Sequence, residues 1–151
     1  MKRKQPNWED VEPGQELKGF SLEITSRRLF LSVSGSQDWY PVHFDRAFAS
    51  KAGHPDLFMS TGFLQAALVR LITDWMGDEG FLRKLSFELR RQQRPGDTMV
   101  CRGKVTGKYL LEDEGCVELD VWAENEREGI TTPGKALVVL PLKAEDKQHR
   151  S

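Results

Sequence analysis

The sequence predicts an α+β fold in which an antiparallel β-sheet wraps around one long central α-helix. Residues 60–76 place apolar side chains on one face at the i, i+3, i+4, i+7 spacing of a helix. After Gly80 the apolar pattern takes the period of a strand and keeps it to about residue 142. Short turns separate the strand-like runs, which indicates antiparallel pairing, and a long apolar helix before such a sheet needs the sheet as its cover.

The helix over residues 60–76 also has boundary signals, because Ser60 fits an N-cap and Gly77 fits a C-cap. Its apolar positions are Phe63, Leu64, Ala67, Leu68, Leu71, Ile72 and Trp75. Ala66 and Val69 lie off this stripe, so we expect other parts of the chain to wrap the helix rather than leave it on a surface.

Shorter elements precede this helix. Residues 17–24 follow a Pro-Gly turn and predict a strand, and residues 26–34 are compatible with a helix until a Ser-Gly-Ser sequence interrupts them. Asp45 can N-cap a short helix through Ala52, with Gly53 at its C-terminal end. The strands predicted after Gly80 cover residues 85–89, 100–109, 117–123 and 136–142.

Length and charge bound the class of protein. The 151 residues are 38% hydrophobic, which predicts a single domain over 1–151 with its core at about 8–142 and frayed polar ends at 1–6 and 143–151. The 22 basic and 23 acidic side chains nearly cancel, so we expect no nucleic-acid or membrane partner. No run approaches the roughly 20 apolar residues of a membrane span, and no secretory signal is recognisable, so we expect a cytoplasmic protein.

The cysteines and histidines give little sign of a metal or a disulfide. Cys101 and Cys116 are too few for a disulfide framework, and we interpret both as strand residues rather than nucleophiles. They share no ligand spacing with the 3 histidines, so we expect no metal site.

The densest group of reactive side chains lies between Ser34 and Asp45. Asp38 and His43 flank Pro41, which keeps this stretch from forming a regular helix. Such a turn can direct both side chains at one water molecule, from which a carboxylate and an imidazole can remove a proton that the imidazole later returns. Taken alone, the pair also fits a hydrogen-bonded histidine beside a helix start.

The order of these motifs resembles the MaoC-like dehydratases, a family that includes the (R)-specific 2-enoyl-CoA hydratases and has the hot-dog fold. The likeness rests on the pattern D-x-x-P-x-H-x-D over residues 38–45, followed by a short helix, a proline, the long apolar helix and a strand that ends before Pro-Gly-Asp. It extends from about Trp8 to Leu142. Residues 8–14 are similar to the opening strand signal of the family, and residues 94–97 to the turn after its second long strand.

The resemblance implies a hydratase or dehydratase that adds water to a 2-enoyl-CoA thioester, or removes it from a 3-hydroxyacyl thioester. Asp38 and His43 match the catalytic pair of the family. The start of the long helix offers unpaired N–H groups and a positive dipole to the thioester oxygen. There the Gly62 N–H is the candidate oxyanion donor, with Thr61 next. Coenzyme A is expected only as part of the substrate, without a metal or redox cofactor.

Two departures from the family pattern concern the acyl pocket. Tyr40 stands where the family commonly has asparagine, and the Ser60-Thr61-Gly62 sequence stands where it commonly has His-Gly. We therefore include Tyr40 and Ser60 among the candidate substrate-binding residues and expect a pocket unlike that of short-chain hydratases.

A local cluster of cations has two interpretations. Its members are Arg83, Lys84, Arg90, Arg91 and Arg94. The cluster is either an exposed strand face or an anchor for the phosphates of coenzyme A, for which Arg90, Arg91 and Arg94 are the candidates. Because no RNA-binding aromatic motif accompanies it, nucleic acid is the weakest partner.

Two rival functions remain open. A hot-dog thioesterase typically relies on a carboxylate on or near the central helix, and this helix has no Asp or Glu before Asp74. A non-catalytic acyl-CoA-binding subunit of a hetero-oligomer is the other rival. Whatever the function, a single curved sheet has an edge strand with unpaired backbone groups that can pair with another chain. We therefore expect a homodimer or higher homo-oligomer, with a hetero-oligomer as the alternative.

Overall fold

The computed structural model describes residues 4–144, in which a curled antiparallel sheet packs on one long helix. The α+β prediction is therefore confirmed. The strands are β1 (Phe20–Glu23), β2 (Phe81–Phe87), β3 (Thr98–Leu111), β4 (Glu114–Asn125) and β5 (Gly129–Leu140), in the spatial order β1-β3-β4-β5-β2. The helices are α1 (Ser26–Ser36), α2 (Arg46–Lys51) and α3 (Thr61–Met76), with 3₁₀ turns at Trp8–Asp10 and Pro41–His43.

Helix α3 supplies the centre of the core. Leu64, Leu68, Leu71 and Ile72 are fully buried against the inward side chains of the sheet. The predicted N-cap is confirmed, since the Ser60 hydroxyl accepts a hydrogen bond from the Phe63 N–H at 3.3 Å. The face of α3 that carries Ala66 stays exposed in the described chain, contrary to the expected wrapping, because a single curled sheet covers only one side of the helix.

Two elements differ in length from their predictions. Helix α1 runs past the Ser-Gly-Ser interruption to Ser36, and there the hydroxyls of Ser34 and Ser36 donate to the carbonyls of Phe30 and Ser32 one turn back, so these serines bond within the helix rather than end it. The first predicted strand shortens to β1, with only an isolated bridge between Glu16 and Lys104 before it.

The last strand starts seven residues earlier than predicted. Pro133 and Gly134, which precede the predicted strand, both lie inside β5. Pro133 pairs with Trp122, and its carbonyl accepts a hydrogen bond from the Glu88 N–H at 2.9 Å. Gly134 allows a close approach to β2, since a Cβ there would lie 2.8 Å from the Ser86 carbonyl oxygen.

The sheet order is not the order of the chain. β3, β4 and β5 form successive hairpins, whereas β2 pairs with β5 at the far edge rather than with the β3 that follows it. Residues 88–97 therefore cross from one edge towards the other, and Leu89 lies in this connection instead of in the predicted strand. The crossing brings Gln93 beneath the start of α3.

The chain ends are described only in part. Residues 1–3 and 145–151, which belong to the predicted frayed ends, lie outside the described residues. Near the start of the described residues, the Gln5 side-chain amide donates a hydrogen bond to the Met76 carbonyl at the end of α3 and accepts one from the Glu79 N–H. Among residues 4–144 no helix has the length and apolar character that a membrane crossing requires.

Candidate active site

The loop between α1 and α2 brings Asp38 and His43 together. Pro41 starts a 3₁₀ turn in which the His43 N–H donates to the Tyr40 carbonyl at 3.1 Å. The His43 Nε2 atom lies 3.8 Å from the Asp38 Oδ2 atom. This separation is too long for a direct hydrogen bond, so the two groups can instead share a small polar molecule.

The two side chains differ in burial. The His43 side chain is 8% exposed, whereas the Asp38 side chain is 47% exposed. The histidine therefore has a fixed place in the interior, and the carboxylate reaches it from the solvent side.

The other ring nitrogen of His43 is held by the backbone. Its Nδ1 atom lies 2.7 Å from the Phe58 carbonyl oxygen. A carbonyl only accepts hydrogen bonds, so the Nδ1 atom carries the hydrogen and donates it. In the neutral ring the Nε2 atom is then the bare nitrogen, and it faces Asp38.

Aromatic rings surround the imidazole. Phe58 meets it edge to face with the ring centroids 5.1 Å apart, and Tyr40 does so at 6.1 Å. Tyr40 is 55% exposed, which leaves its ring available to a ligand beside His43. His54 packs on Phe58 at 4.7 Å and bonds to Gln92, so it is a half-buried loop residue that lies outside the Asp38–His43 pair.

Polar side chains fix the loop that carries the pair. The Asp45 carboxylate accepts from the Phe48 N–H at 3.0 Å, which confirms Asp45 as the N-cap of α2. The next residue, Arg46, donates to the Ser26 hydroxyl at the start of α1 and to the Asp56 carboxylate. These contacts connect both helices to the segment that leads into α3.

The start of α3 adjoins this loop, because Phe58 is only two residues from the N-cap. Ser60 is buried, and its hydroxyl is engaged as the cap, whereas Thr61 and Gly62 are exposed. Within residues 4–144 neither the Thr61 nor the Gly62 N–H has a hydrogen-bond acceptor, as expected for the first turn of a helix. A Cβ on Gly62 would meet no atom within 4 Å, so the side-chain face of Gly62 is open.

The cation cluster is largely ion-paired. Arg90 pairs with Glu88 at 2.9 Å, and Arg91 pairs with Glu128 at 3.6 Å. The Arg94 guanidinium instead donates to the Gln92 side chain. Arg94 also lies close enough to Asp97 to help lower the pKa of that carboxyl group, so the structure singles out none of these three arginines as a phosphate-binding side chain.

A cavity of about 480 Å³ lies elsewhere, on β2, β4 and β5. Trp122, Ile130 and Pro133 contribute its apolar lining, and neither Asp38 nor His43 lines it. The cavity is therefore separate from the candidate active site.

The cysteines match their predicted role as strand residues. Cys101 in β3 and Cys116 in β4 are both buried and unbridged. Burial raises the pKa of the Cys101 thiol to about 12, so this group is not a thiolate at neutral pH. In the part of the chain that the structure describes, no group of three or more His, Cys, Asp or Glu side chains is arranged to hold a metal ion.

Sequence reasoning missed Phe58 and Gln93. Phe58 orients His43 through its main-chain carbonyl, which every residue has and which therefore leaves no signal in the sequence. Gln93 is a fully buried polar residue in a connecting segment. Its position just before the Arg-Pro-Gly-Asp turn was a weak clue to this role, because a glutamine before a turn is usually a surface residue.

Solved structures with the same fold include two hydratases and one chain of a two-protein complex. The R-hydratase PhaJ1 from Pseudomonas aeruginosa is 20% identical, with a TM-score of 0.78 over 91% of this chain and 86% of that chain. The (R)-hydratase from A. caviae involved in PHA biosynthesis is 22% identical, with a TM-score of 0.76 over 87% of this chain and 98% of that chain. The ChsH1-ChsH2 complex from Mycobacterium tuberculosis contains a chain that is 21% identical, with a TM-score of 0.78 over 86% of this chain and 98% of that chain.

No curated protein sequence matches the chain. The family model described as "MaoC like domain" matches residues 10–126. This region contains the loop with Asp38 and His43, the whole of α3 and the strands up to β4. Because the match covers most of the chain and every element that holds the pair, the chain belongs to the family of MaoC-like domains and has its hot-dog fold.

Proposed function

We propose that this protein is an enoyl-CoA hydratase, which reversibly adds water to a 2-enoyl-CoA thioester. The observation that carries the proposal is the His43 tautomer, which leaves a bare Nε2 atom 3.8 Å from the Asp38 carboxylate. Membership of a family of dehydratase domains and the shared fold with two hydratases support the same reaction class.

His43 makes the proton transfers, while the Asp38 carboxylate accepts a hydrogen bond from the attacking water and holds it in place. A water molecule between Asp38 and His43 gives one proton to the His43 Nε2 atom while its oxygen forms a bond to C3 of the acyl group. The electrons of the double bond move onto the thioester oxygen to give an enolate. The protonated His43 then returns the proton to C2, which restores the thioester and the neutral imidazole.

The thioester oxygen needs a donor when it gains charge. The Gly62 N–H in the first turn of α3 has no acceptor within the helix and benefits from the positive end of the helix dipole. The Thr61 N–H is the second free donor. Ser60 contributes by capping the helix, since its hydroxyl is already bonded to the Phe63 N–H.

The test is a panel of 2-enoyl-CoA substrates, with loss of the conjugated-thioester absorbance as the readout. We expect His43→Ala and Asp38→Asn each to lower kcat by about 10²-fold or more, because positioned acid–base groups contribute about 10²–10⁴-fold. The matched control is His54→Ala, which removes a histidine outside the pair and should keep wild-type turnover. Equal activity in His43→Ala and wild type would refute the proposal.

A second candidate is a non-catalytic acyl-CoA-binding subunit of a hetero-oligomer. The exposed rings of Trp39 and Tyr40, which directly follow Asp38, favour it, because a partner subunit would cover them. The ChsH1-ChsH2 structure, a complex of two named chains, is a precedent for the fold. Binding of acyl-CoA without turnover of any substrate would support this candidate, and release of free thiol would indicate a thioesterase.

A further inference from the structure

Gln93 is a buried polar side chain without a role in the chemistry described above. It is 0% exposed, and both ends of its amide are bonded. The Nε2 group donates to the Thr131 hydroxyl at 2.8 Å, and the Oε1 atom accepts from the Asn125 amide at 3.0 Å. The Thr131 hydroxyl in turn donates to the Ala123 carbonyl, so the side chain is anchored on β4 and β5.

The main chain of Gln93 continues this connection towards the active site. Its carbonyl oxygen accepts a hydrogen bond from the Met59 N–H at 2.9 Å. That N–H belongs to the same peptide unit as the Phe58 carbonyl, which accepts from His43 at 2.7 Å.

A peptide unit is planar, and in the trans form its N–H and C=O point in opposite directions. No cis peptide occurs among the described residues, so the Phe58–Met59 unit is trans. Gln93 therefore bonds to the N–H of a rigid peptide unit, and His43 bonds to the carbonyl of the same unit. Rotation of this peptide unit about its flanking bonds would turn the Phe58 carbonyl away from the imidazole.

A second set of contacts fixes the segment around Gln93. The Gln92 carbonyl accepts from Arg127, and the Arg94 N–H donates to the Asp97 carboxylate at 2.8 Å. Arg127 also donates to both oxygens of Asp97, at 3.1 and 2.8 Å. Gln92 is thus bound directly to the turn between β4 and β5, and Arg94 is bound to that turn through Asp97.

We infer that Gln93 is a positioning residue that sets the tautomer and orientation of His43 through the Phe58–Met59 peptide unit. The inference rests on the proposed function for its effect on catalysis, but its effect on His43 stands apart from the identity of the substrate. A buried amide that loses one of its hydrogen bonds costs free energy. The arrangement in which both ends of the Gln93 amide are bonded is therefore favoured, and it holds the backbone at Gln93 in one position.

The experiment measures the ¹⁵N chemical shifts of the His43 ring in the full-length chain, above the pH at which the imidazole becomes neutral. In wild type we expect a protonated Nδ1 and a bare Nε2 signal. Gln93→Met keeps the length of the side chain but removes its amide, and we expect its His43 signals to shift towards a mixture of tautomers. We expect kcat for enoyl-CoA hydration to fall about tenfold, with KM within about twofold, which is the size expected when one buried hydrogen bond is lost.

Gln92→Met is the matched control, because the Gln92 side chain bonds to His54 and Arg94 and not to Thr131. It should keep the wild-type His43 signals. If Gln93→Met does not fold, Thr131→Val provides the same test, since it removes the acceptor of the Gln93 amide and leaves every backbone donor in place.

Unchanged His43 signals in folded Gln93→Met or Thr131→Val would overturn the inference, whatever the activity. A wild-type chain without hydratase activity would refute the proposed function instead. In that case a tautomer shift in the Gln93 variant would still support the positioning role.

Discussion

Burial gives Asp38 and His43 different freedom within one site. His43 is enclosed by Phe58 and held at its Nδ1 atom, so the bare Nε2 atom points in one direction. Asp38 is half-exposed and keeps much of its hydration. A buried imidazole in a fixed tautomer with a solvated carboxylate beside it suits a reaction in which water is the second substrate.

Asp97 is the residue at which pH should affect folding most clearly. Burial alone raises the pKa of its carboxyl group, but the hydrogen bonds from Arg127 and from the Arg94 N–H outweigh this effect and the pKa lies below the ordinary value of 3.8. In the unfolded chain the same carboxyl group takes up its proton at a higher pH. Stability from Asp97 is therefore complete well above pH 3.8 and is lost as the pH falls through the folded-state pKa.

We predict that Asp97→Asn lowers the free energy of unfolding at pH 7 by about 2 kcal/mol, the size expected for loss of hydrogen bonds to a charged group. The variant should also lose less stability than wild type between pH 5 and pH 2, because the titrating group is gone. Urea unfolding across this range checks both effects.

Asp120→Asn is the control for the Asp97 prediction. It breaks an exposed pair with Lys135 and should change stability by no more than about 1 kcal/mol. If the two variants lose the same free energy of unfolding at pH 7, the contacts of Asp97 stabilise the fold no more than an exposed ion pair does.

At the scale of single elements, the cap of α2 contributes both to the stability of the fold and to the loop that carries Asp38 and His43. Asp45 caps the helix through the Phe48 N–H, and its own N–H donates to the Pro41 carbonyl in the turn that carries His43. We predict that Asp45→Ala destabilises the fold by about 1 kcal/mol, because one helix donor loses its acceptor.

Asp45→Ser should restore most of this loss, since serine caps a helix about as well as aspartate. Thermal unfolding of the two variants makes the comparison. If Asp45→Ser is as unstable as Asp45→Ala, the carboxylate acts by some contact other than capping.

The elements also differ in how well local sequence predicts them. The bounds of α3 follow from its apolar period and caps, and those signals agree with the structure. The start of β5 does not follow from local sequence signals, because a proline such as Pro133 breaks a strand only where its missing N–H would have bonded to a neighbouring strand. The pairing of β5 with both β4 and β2 determines which backbone groups need partners, and no local pattern reports it.

At the scale of the whole molecule, the sheet ends in two edges of unequal length. β1 has four residues, whereas β2 has seven and pairs only with β5 among the described strands. Phe81 on β2 is 63% exposed. An edge of this length with an exposed aromatic side chain favours pairing with a second chain.

We predict a dimer through this edge at micromolar concentration, which Phe81→Glu weakens because it adds charge to the paired strands. Sedimentation equilibrium measures the change. Ile130→Glu is the matched control, as Ile130 is 51% exposed but lies on β5. A monomeric wild-type chain, or equal weakening by both substitutions, would contradict assembly through β2.

The sequence by itself determined the α+β class, the long helix and its caps, and the proximity of Asp38 to His43, because each depends on residues that are near neighbours along the chain. Tertiary structure alone decided that β2 crosses to β5, that the Phe58 carbonyl selects the His43 tautomer and that Gln93 holds the same peptide unit. Each of these contacts involves at least one main-chain group and joins segments that are separated in sequence. Main-chain groups are the same in every residue, so their partners are known only once the fold has brought the segments together.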